Sequence, residues 1–176
     1  MNLEALLKAN IREVPDFPKP GINFKDITPI FLNHEVMVQA LDALIEPWRD
    51  KHITKVIGIE SRGFLFGPQI AAALGAGFVI VRKAGKLPPE TAQISYSLEY
   101  GDATIEMVKG AIQTGDRVLI HDDLLATGGT ASASAKLVQQ LGAEVAGFSF
   151  LIELEFLDGR KQLMDFSGNT HSIIGY

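Results

Sequence analysis

The stretch VLIHDDLLATGGTASASAKL, residues 118–137, decides the fold of this chain. An apolar run comes first, then the adjacent acids Asp122 and Asp123, then a loop of Gly and Thr that leads into a segment with helical spacing. This order is typical of a buried parallel strand that turns through a tight loop into a helix. Because ligands of such sheets bind outside the carboxyl ends of the strands, we expect the chemistry of this protein at that loop.

The loop has the composition of an anion-binding site, and its five residues are Ala126, Thr127, Gly128, Gly129 and Thr130. Glycines let successive backbone N–H groups converge on one anion, and the helix N-terminus adds the positive end of its dipole. The two threonines add hydroxyl donors. No Lys or Arg occurs between Asp122 and Lys136, and the GxxxxGK[ST] pattern is absent, so this is not a nucleoside-triphosphate loop. We expect it to hold the phosphate of a sugar.

The acidic pair fits a sugar better than a phosphate. Two carboxylates that faced a phosphate would repel it, whereas Asp122 and Asp123 can accept hydrogen bonds from ribose hydroxyls or hold Mg²⁺ through water. The alternative is that the two residues merely end a strand and cap a turn, which is a common position for Asp.

Three more apolar runs predict buried strands beside the first. They span residues 55–60, 77–83 and 144–154, and residues 63–75 have the spacing of a helix. Alternating buried strands and helices indicate a parallel sheet with helices on both faces. We therefore predict the α/β class, with a doubly wound, mainly parallel sheet flanked by helices, in a single domain of residues 1–176.

A hairpin is predicted in the middle of the chain and a loop near its start. Residues 92–110 alternate in polarity on either side of Gly101-Asp102, which predicts a small, flexible β-hairpin that projects from the body as a hood. Residues 15–26 contain three prolines and a glycine, and we expect no regular structure there. Asn33 is expected to cap the helix that follows.

Composition excludes several classes of function. The chain has 176 residues, a formal net charge of −5 and no Cys, so disulfides and thiolate metal sites are excluded. Its charges form no run of one sign, which argues against nucleic-acid binding. No apolar segment approaches the roughly 20 residues that span a bilayer, and the start lacks a signal-peptide pattern. We expect a cytoplasmic protein without a membrane or nucleic-acid partner.

Two acids, two apolar residues and Ala-Thr-Gly-Gly-Thr at a strand–helix junction resemble the phosphoribosyl pyrophosphate signature of the type I phosphoribosyltransferases. Further segments are similar to the adenine-specific members of that family: PDFPKPGINFKDITP (15–29), GIESRGFLFGP (58–68), VRKAGKLP (81–88) and SYSLEYG (95–101). The resemblance implies the type I fold with an N-terminal base-binding loop. It also implies a purine-salvage enzyme, normally a homodimer, that uses Mg²⁺ and converts adenine and phosphoribosyl pyrophosphate to AMP and pyrophosphate.

The resemblance also assigns binding roles by position. It places the 5′-phosphate on the loop 126–130 and the ribose hydroxyls on Asp122 and Asp123. The residues expected to bind pyrophosphate are Arg62, Arg82, Lys83 and Lys86, and Arg82 is expected to reach the neighbouring subunit's site. The residues expected to contact adenine are Asn23, Phe24, Lys25 and Leu154. Taken singly, the cations are ordinary solvated surface charges and Phe24 is an ordinary core aromatic.

The catalytic residues implied by the resemblance are Glu99, Tyr100 and Arg62. Glu99 matches the acidic residue that exchanges a proton with the purine ring during an oxocarbenium-like ribosyl transfer, and Tyr100 beside it is the expected partner. The alternative for Glu99 is a solvent-facing strand residue. Mg²⁺ is expected to act mainly through substrate and water, with no direct protein ligand. The Glu60–Ser61 peptide, next to Arg62, is expected to be cis.

The role of His121 and the function of the chain leave alternatives open. His121 stands where the family usually has an aliphatic residue, and it is interpreted as a satisfied strand histidine rather than a catalytic group. A related transferase for xanthine, hypoxanthine or guanine is the nearest rival function, although residues 22–25 follow the adenine type. A ligand-sensing DNA-binding protein would need an appended basic segment. An inactive binding domain is a third alternative.

Overall fold

The fold is organised around a seven-stranded sheet in a computed structural model that describes residues 2–97 and 101–176. In chain order the helices and strands are α1 (Leu3–Ala9), β1 (Arg12–Val14), β2 (Phe24–Asp26), α2 (Thr28–Leu32), α3 (His34–Ile45), β3 (Lys55–Ile59), α4 (Gly63–Ala73), β4 (Gly77–Lys83), β5 (Thr91–Ser97), β6 (Asp102–Val108), β7 (Arg117–Leu125), α5 (Gly129–Gln140), β8 (Glu144–Glu153), α6 (Gly159–Leu163) and β9 (Thr170–Gly175). Short 3₁₀ turns span Glu46–Trp48 and Glu155–Leu157.

The chain forms two compact units, residues 1–43 and 44–176. A single domain over residues 1–176 therefore stays a prediction. None of the helices in the described part of the chain has the length and apolar character that a membrane crossing requires.

The first unit contains a small antiparallel ribbon that the sequence did not predict. β1 pairs with β2 from Arg12 opposite Asp26 to Val14 opposite Phe24. The expectation that residues 15–26 lack regular structure is therefore wrong for residues 24–26, which form β2. The last proline of that segment is Pro20, so the residues of β2 keep the N–H groups that a ladder needs.

The predicted cap of the next helix is confirmed. The Asn33 side chain accepts hydrogen bonds from the N–H groups of Glu35 and Val36, at 3.1 and 3.3 Å. It thereby satisfies two donors that the first turn of α3 leaves without an intrahelical partner.

The second unit carries the sheet, in the order β5-β6-β4-β3-β7-β8-β9. The strands from β4 through β3, β7 and β8 to β9 are parallel neighbours, as predicted for the first four of them. β9 was not predicted because its residues are only partly buried, apart from Ile174, and their apolar signal is weak.

Helices cover both faces of this sheet, which confirms a doubly wound arrangement. Gly58 of β3 faces α4, because a Cβ built there would lie 3.0 Å from the carbonyl oxygen of Gly63. Its neighbours Ile57 and Ile59 belong to the buried cluster that contains Ala131 and Ala135 of α5. Successive strand residues point to opposite faces, so α4 and α5 lie on opposite sides.

The predicted hairpin is confirmed over its described residues. β5 and β6 are antiparallel, from Thr91 opposite Val108 to Ser97 opposite Asp102. β6 also pairs with the end of β4, so the hairpin continues the central sheet. Glu99 and Tyr100 lie outside the described residues.

Strand β7 is longer than the sequence predicted. Its pairing with β8 continues to Leu124 opposite Ile152 and Leu125 opposite Glu153. The apolar run predicts a strand over residues 117–122 with the acidic pair at its carboxyl end, whereas Asp122 and Asp123 lie within a strand that continues to Leu125. The cause is the long partner strand β8, whose backbone groups remain available to Leu124 and Leu125.

His121 is a buried, neutral histidine of β7. The expectation that it is satisfied holds for Nδ1 alone, because Nε2 is buried without a hydrogen-bond partner among the described residues. His121 is fully buried, and its Nδ1 lies 3.1 Å from the carbonyl oxygen of Ser149. A carbonyl only accepts, so Nδ1 carries the proton and donates it. Burial lowers the pKa of His121 from 6.5 to about 4, although the hydrogen bond to Ser149 opposes that shift.

This burial makes stability depend on pH. The unfolded chain binds a proton at His121 near pH 6.5 and the folded chain only near pH 4, so the stabilising contribution is complete above about pH 6.5 and is lost as the pH falls towards about 4. We expect His121→Val to flatten the decline of the free energy of unfolding across that window, by up to roughly 3 kcal/mol. Urea unfolding at neutral and acidic pH measures this decline of the free energy of unfolding. His34→Gln, at an exposed position, is the control, and an equally steep decline in His121→Val would contradict the assignment.

Candidate active site

A pocket of about 110 Å³ lies where β7 passes into α5. The residues that line it are Asp122, Leu124, Leu125, Ala126, Thr127, Gly128, Gly129, Thr130, Ala131 and Phe150. All five residues of the predicted phosphate loop are among them. Gly128 precedes the helix with φ of +84°, a left-handed conformation that favours glycine. The predicted loop and the predicted helix start therefore form one concave site.

The phosphate loop is supported from behind by the start of α6. A Cβ at Gly128 would lie 2.7 Å from the carbonyl oxygen of Gly159, and a Cβ at Gly159 would collide with the carbonyl oxygen of Ala126. Backbone thus packs directly on backbone at this point. Arg160 anchors α6, since its Nε lies 3.0 Å from Oε1 of Glu153 and its Nη1 donates to the carbonyl oxygen of Thr170 at 2.6 Å.

The hairpin contacts the same loop. The hydroxyl oxygens of Tyr96 in β5 and Thr130 at the start of α5 lie 3.0 Å apart, within hydrogen-bond distance. Tyr96 therefore ties the predicted catalytic hairpin to the phosphate loop.

The acidic pair lies beside the predicted pyrophosphate arginine. Nε of Arg62 is 3.0 Å from Oδ2 of Asp123, and the Asp123 side chain is only 5% exposed. Gly63 allows this approach, because a Cβ there would lie 2.8 Å from the carbonyl oxygen of His121. The Glu60–Ser61 peptide in the same turn is cis, as expected. The fold therefore brings Arg62, Asp122 and Asp123 together.

The two carboxylates differ in their surroundings. Enclosure in the strand and the negative charge of Asp123 raise the pKa of Asp122 well above its ordinary value, although the residue as a whole is only half-buried. Burial raises the pKa of Asp123 less, because the charge of Arg62 opposes the shift. The pair is therefore short of positive charge and of donors, which ribose hydroxyls or a hydrated cation would supply.

The other predicted pyrophosphate residues gather around Glu60. Its Oε1 accepts hydrogen bonds from Arg82 Nη2 at 3.0 Å and from Lys86 Nζ at 2.7 Å. Its Oε2 accepts from the N–H of Lys83 at 3.1 Å. The hydrogen bonds from Arg82 and then Lys86 lower the pKa of Glu60 from 4.5 to about 2. Lys83 joins this cluster through its backbone N–H, and its side chain is exposed.

Sequence reasoning missed the role of Glu60, which keeps Arg82 and Lys86 together at the end of β4. A signal was present, because Glu60 ends a predicted strand next to another strand that ends in two cations. Gly159 gave no signal, because its importance depends on contact with a loop distant in sequence.

The predicted base-binding residues of the first unit hold one another in place. Asn23 Nδ2 and Lys25 Nζ donate to the two carboxylate oxygens of Glu13, at 2.7 and 2.6 Å. Phe24 meets Phe17 edge to face, with ring centroids 5.2 Å apart. The side chain of Lys25 is buried and ion-paired, which leaves base contacts at this position to the backbone. Leu154, in the second unit, is half-buried.

Among residues 2–97 and 101–176, no three His, Asp or Glu side chains gather as a metal would require. The acidic pair could still contact a hydrated Mg²⁺ through water, since such ions usually retain several waters.

Gly159→Ala tests the support of the phosphate loop. The added methyl group must displace Ala126, so we expect the affinity for ribose 5-phosphate to fall about tenfold, equivalent to roughly 1.4 kcal/mol. Isothermal calorimetry measures it. Gly168→Ala is the matched control, because nothing lies within 4 Å of a Cβ at that position. Wild-type affinity in Gly159→Ala would show that the contact does not shape the loop.

Comparison with known proteins agrees with this geometry. A family model described as the phosphoribosyl transferase domain matches residues 30–165. The adenine phosphoribosyltransferase of Anaeromyxobacter dehalogenans is 56% identical over 170 residues, which make up 97% of this chain and 98% of that protein.

Solved structures give the same result. The adenine phosphoribosyltransferase of Rhodothermus marinus is similar with a TM-score of 0.92 and 53% identity, over 99% of this chain and 98% of that one. The enzyme from Saccharomyces cerevisiae, solved with an imino-altritol bisphosphate and adenine, gives a TM-score of 0.88 and 44% identity over 97% of each chain. The predicted type I fold is confirmed. The chain belongs to the phosphoribosyltransferase family, among the adenine phosphoribosyltransferases.

Proposed function

We propose that this protein transfers the phosphoribosyl group of phosphoribosyl pyrophosphate to adenine, forming AMP and pyrophosphate. The observation that carries the proposal is the lysine-free loop 126–130 beside the acidic pair Asp122 and Asp123, with Arg62 next to that pair. The family and the adenine-specific names of relatives more than half identical over nearly the whole chain support the choice of substrate.

Substrate binding would exchange ion pairs within the protein for ion pairs with the ligand. The 5′-phosphate would be held by the N–H groups and hydroxyls of the loop 126–130, and the ribose hydroxyls would donate to Asp122 and Asp123. Arg62 pairs with Asp123, and Lys86 pairs with Glu60. These cations are already held beside the site, so they can turn to the pyrophosphate with little reorganisation.

In the transfer, the bond from the ribose anomeric carbon to pyrophosphate breaks and a bond to a ring nitrogen of adenine forms. The bonding electrons leave with the pyrophosphate, so negative charge grows on the leaving group and positive charge on the ribose. The negative charge on the pyrophosphate would be stabilised by the cations Arg62, Arg82, Lys83 and Lys86. The positive charge on the ribose would be stabilised by the carboxylates of Asp122 and Asp123. Glu99, with Tyr100 beside it, would take the proton that adenine releases.

Adenine would be held by the loop of Asn23, Phe24 and Lys25. The pairing of Asn23 and Lys25 with Glu13 supports this role, because it fixes the backbone of the loop before a base arrives. Phe24 is half-buried and rests on Phe17, so one part of its ring can still meet a base.

Three further properties belong to the proposal. Mg²⁺ would accompany phosphoribosyl pyrophosphate and neutralise its charge, with the acidic pair as an outer contact through water. The protein would act as a homodimer, with Arg82 reaching the neighbouring subunit's site. It would work in the cytoplasm, without a membrane or nucleic-acid partner.

Product identification tests the function. The protein is incubated with Mg²⁺, phosphoribosyl pyrophosphate and each purine base, and the nucleotide is identified by chromatography. We expect AMP from adenine, little nucleotide from hypoxanthine, guanine or xanthine, and loss of the reaction on chelation. A product from another base alone would establish the rival transferase. Substrate binding without any product would establish the inactive binding domain.

Glu99→Gln tests the proton transfer. The amide keeps the size of the side chain but cannot accept the proton, so we expect turnover to fall by roughly 10²–10⁴-fold with little change in affinity for phosphoribosyl pyrophosphate. Steady-state kinetics and calorimetry measure the two quantities. Asp102→Asn, at an exposed carboxylate of the same hairpin, is the control. Unchanged turnover would remove Glu99 from the mechanism.

A further inference from the structure

Glu106 is a buried carboxylate that the reaction outlined above does not use. It lies in the middle of β6 and is only 2% exposed. Charged side chains are rarely so deeply buried unless several partners hold them. Its partners therefore indicate why it is there.

Both carboxylate oxygens of Glu106 are fully engaged. Oε1 accepts hydrogen bonds from the N–H groups of Lys86 and Leu87, each at 2.9 Å. Oε2 accepts from Thr91 Oγ1 at 3.1 Å and from Gln93 Nε2 at 2.9 Å. All four donors are neutral groups, so the carboxylate brings an uncompensated charge that holds its donors tightly.

The four donors come from two different parts of the site. Lys86 and Leu87 lie in the loop 84–90 between β4 and β5, and Lys86 is one of the proposed pyrophosphate cations. Thr91 and Gln93 belong to β5, the first strand of the hairpin that leads to Glu99. Glu106 therefore connects the cation loop to the catalytic hairpin.

Two carboxylates bind different groups of Lys86. Glu106 holds the backbone N–H of Lys86, and Glu60 holds its ammonium group at 2.7 Å. When the ammonium turns from Glu60 to a ligand, the hydrogen bond to Glu106 can remain. The backbone from which Lys86 reaches the ligand is then unchanged.

Glu106 remains ionised at neutral pH. Burial acts to raise its pKa, but the hydrogen bonds from the N–H groups of Leu87 and Lys86, and from Thr91 and Gln93, lower it below the ordinary value on balance. The carboxylate therefore needs no cationic partner to stay charged.

We propose that Glu106 is a positioning residue: it fixes the loop 84–90 so that Lys86 meets the pyrophosphate group, and it makes the order of that loop depend on the hairpin. The proposal rests on the proposed function, because it takes phosphoribosyl pyrophosphate as the ligand of Lys86. Glu106 itself does not touch the substrate.

Glu106→Gln tests the proposal with minimal change of shape. The amide removes the charge and places an NH₂ donor among groups that already donate. We expect the dissociation constant for Mg²⁺–phosphoribosyl pyrophosphate, measured by calorimetry without adenine, to rise about tenfold or more, as when a charged hydrogen-bond acceptor is lost. The KM for adenine should change much less. Glu90→Gln is the matched control, since Glu90 lies in the same loop and its side chain makes an exposed ion pair with Lys109.

A double-mutant cycle separates positioning from a general structural role. If Glu106 acts through Lys86, its substitution should add little to Lys86→Ala, and the double variant should bind the ligand about as weakly as Lys86→Ala alone. Effects that multiply independently would overturn the proposal, as would wild-type affinity in Glu106→Gln.

A second variant and an activity assay allow the role of Glu106 to be tested even if Glu106→Gln does not fold. If Glu106→Gln fails to fold, Thr91→Val removes a single donor on the hairpin side and should still weaken binding several-fold, whereas unchanged affinity would overturn the coupling to the hairpin. The assay of AMP formation by the wild-type protein separates the proposed function from the proposed role of Glu106. Binding of phosphoribosyl pyrophosphate without AMP formation would refute the proposed function alone. AMP formation together with unaltered binding in Glu106→Gln would refute the role of Glu106 alone.

Discussion

The candidate site depends on backbone packed directly against backbone at two places, beside β7 at Gly63 and behind the phosphate loop at Gly159. Gly63 lets the turn that carries Arg62 lie against His121 and Asp122, and Gly159 lets α6 support the phosphate loop. A side chain at either position would occupy space that carbonyl oxygens already fill. Protein interiors are packed too densely to absorb such a change without displacement of the neighbouring chain. These two approaches therefore determine where the loop, the acidic pair and Arg62 stand.

Carboxylates organise the cations around that frame. Asp123 holds Arg62, Glu60 holds Arg82 and Lys86, and each pair is at least partly enclosed. A cation held in this way has already lost most of its freedom before a ligand binds, so less entropy remains to be lost on binding. The ligand must compete with a carboxylate for each cation, and only a group with several negative charges competes well. In the proposed reaction, this arrangement would favour pyrophosphate over a singly charged anion.

Sequence reasoning succeeded where local pattern and tertiary structure agree. The strands β3, β4 and β8 and the helices α4 and α5 follow from apolar runs and helical spacing, because burial on both faces leaves an uninterrupted signal. It failed at β9, whose residues are only partly buried, and at β2, whose pairing with β1 no local pattern indicates. It also ended β7 too early, because acidic residues suggest a turn while the length of a strand depends on its neighbour.

The sequence by itself determined the phosphate loop, since the conformation of Gly128 and the run of N–H groups ahead of α5 are properties of adjacent residues. It also determined which residue types could serve as acids and cations. Only the tertiary structure decided how they are paired. Arg62 meets Asp123, Arg82 meets Glu60, and the backbone of Lys86 meets Glu106 across about 20 or more residues of chain. Such contacts depend on strand order and register, which are set by packing of the whole sheet and leave no trace in local composition.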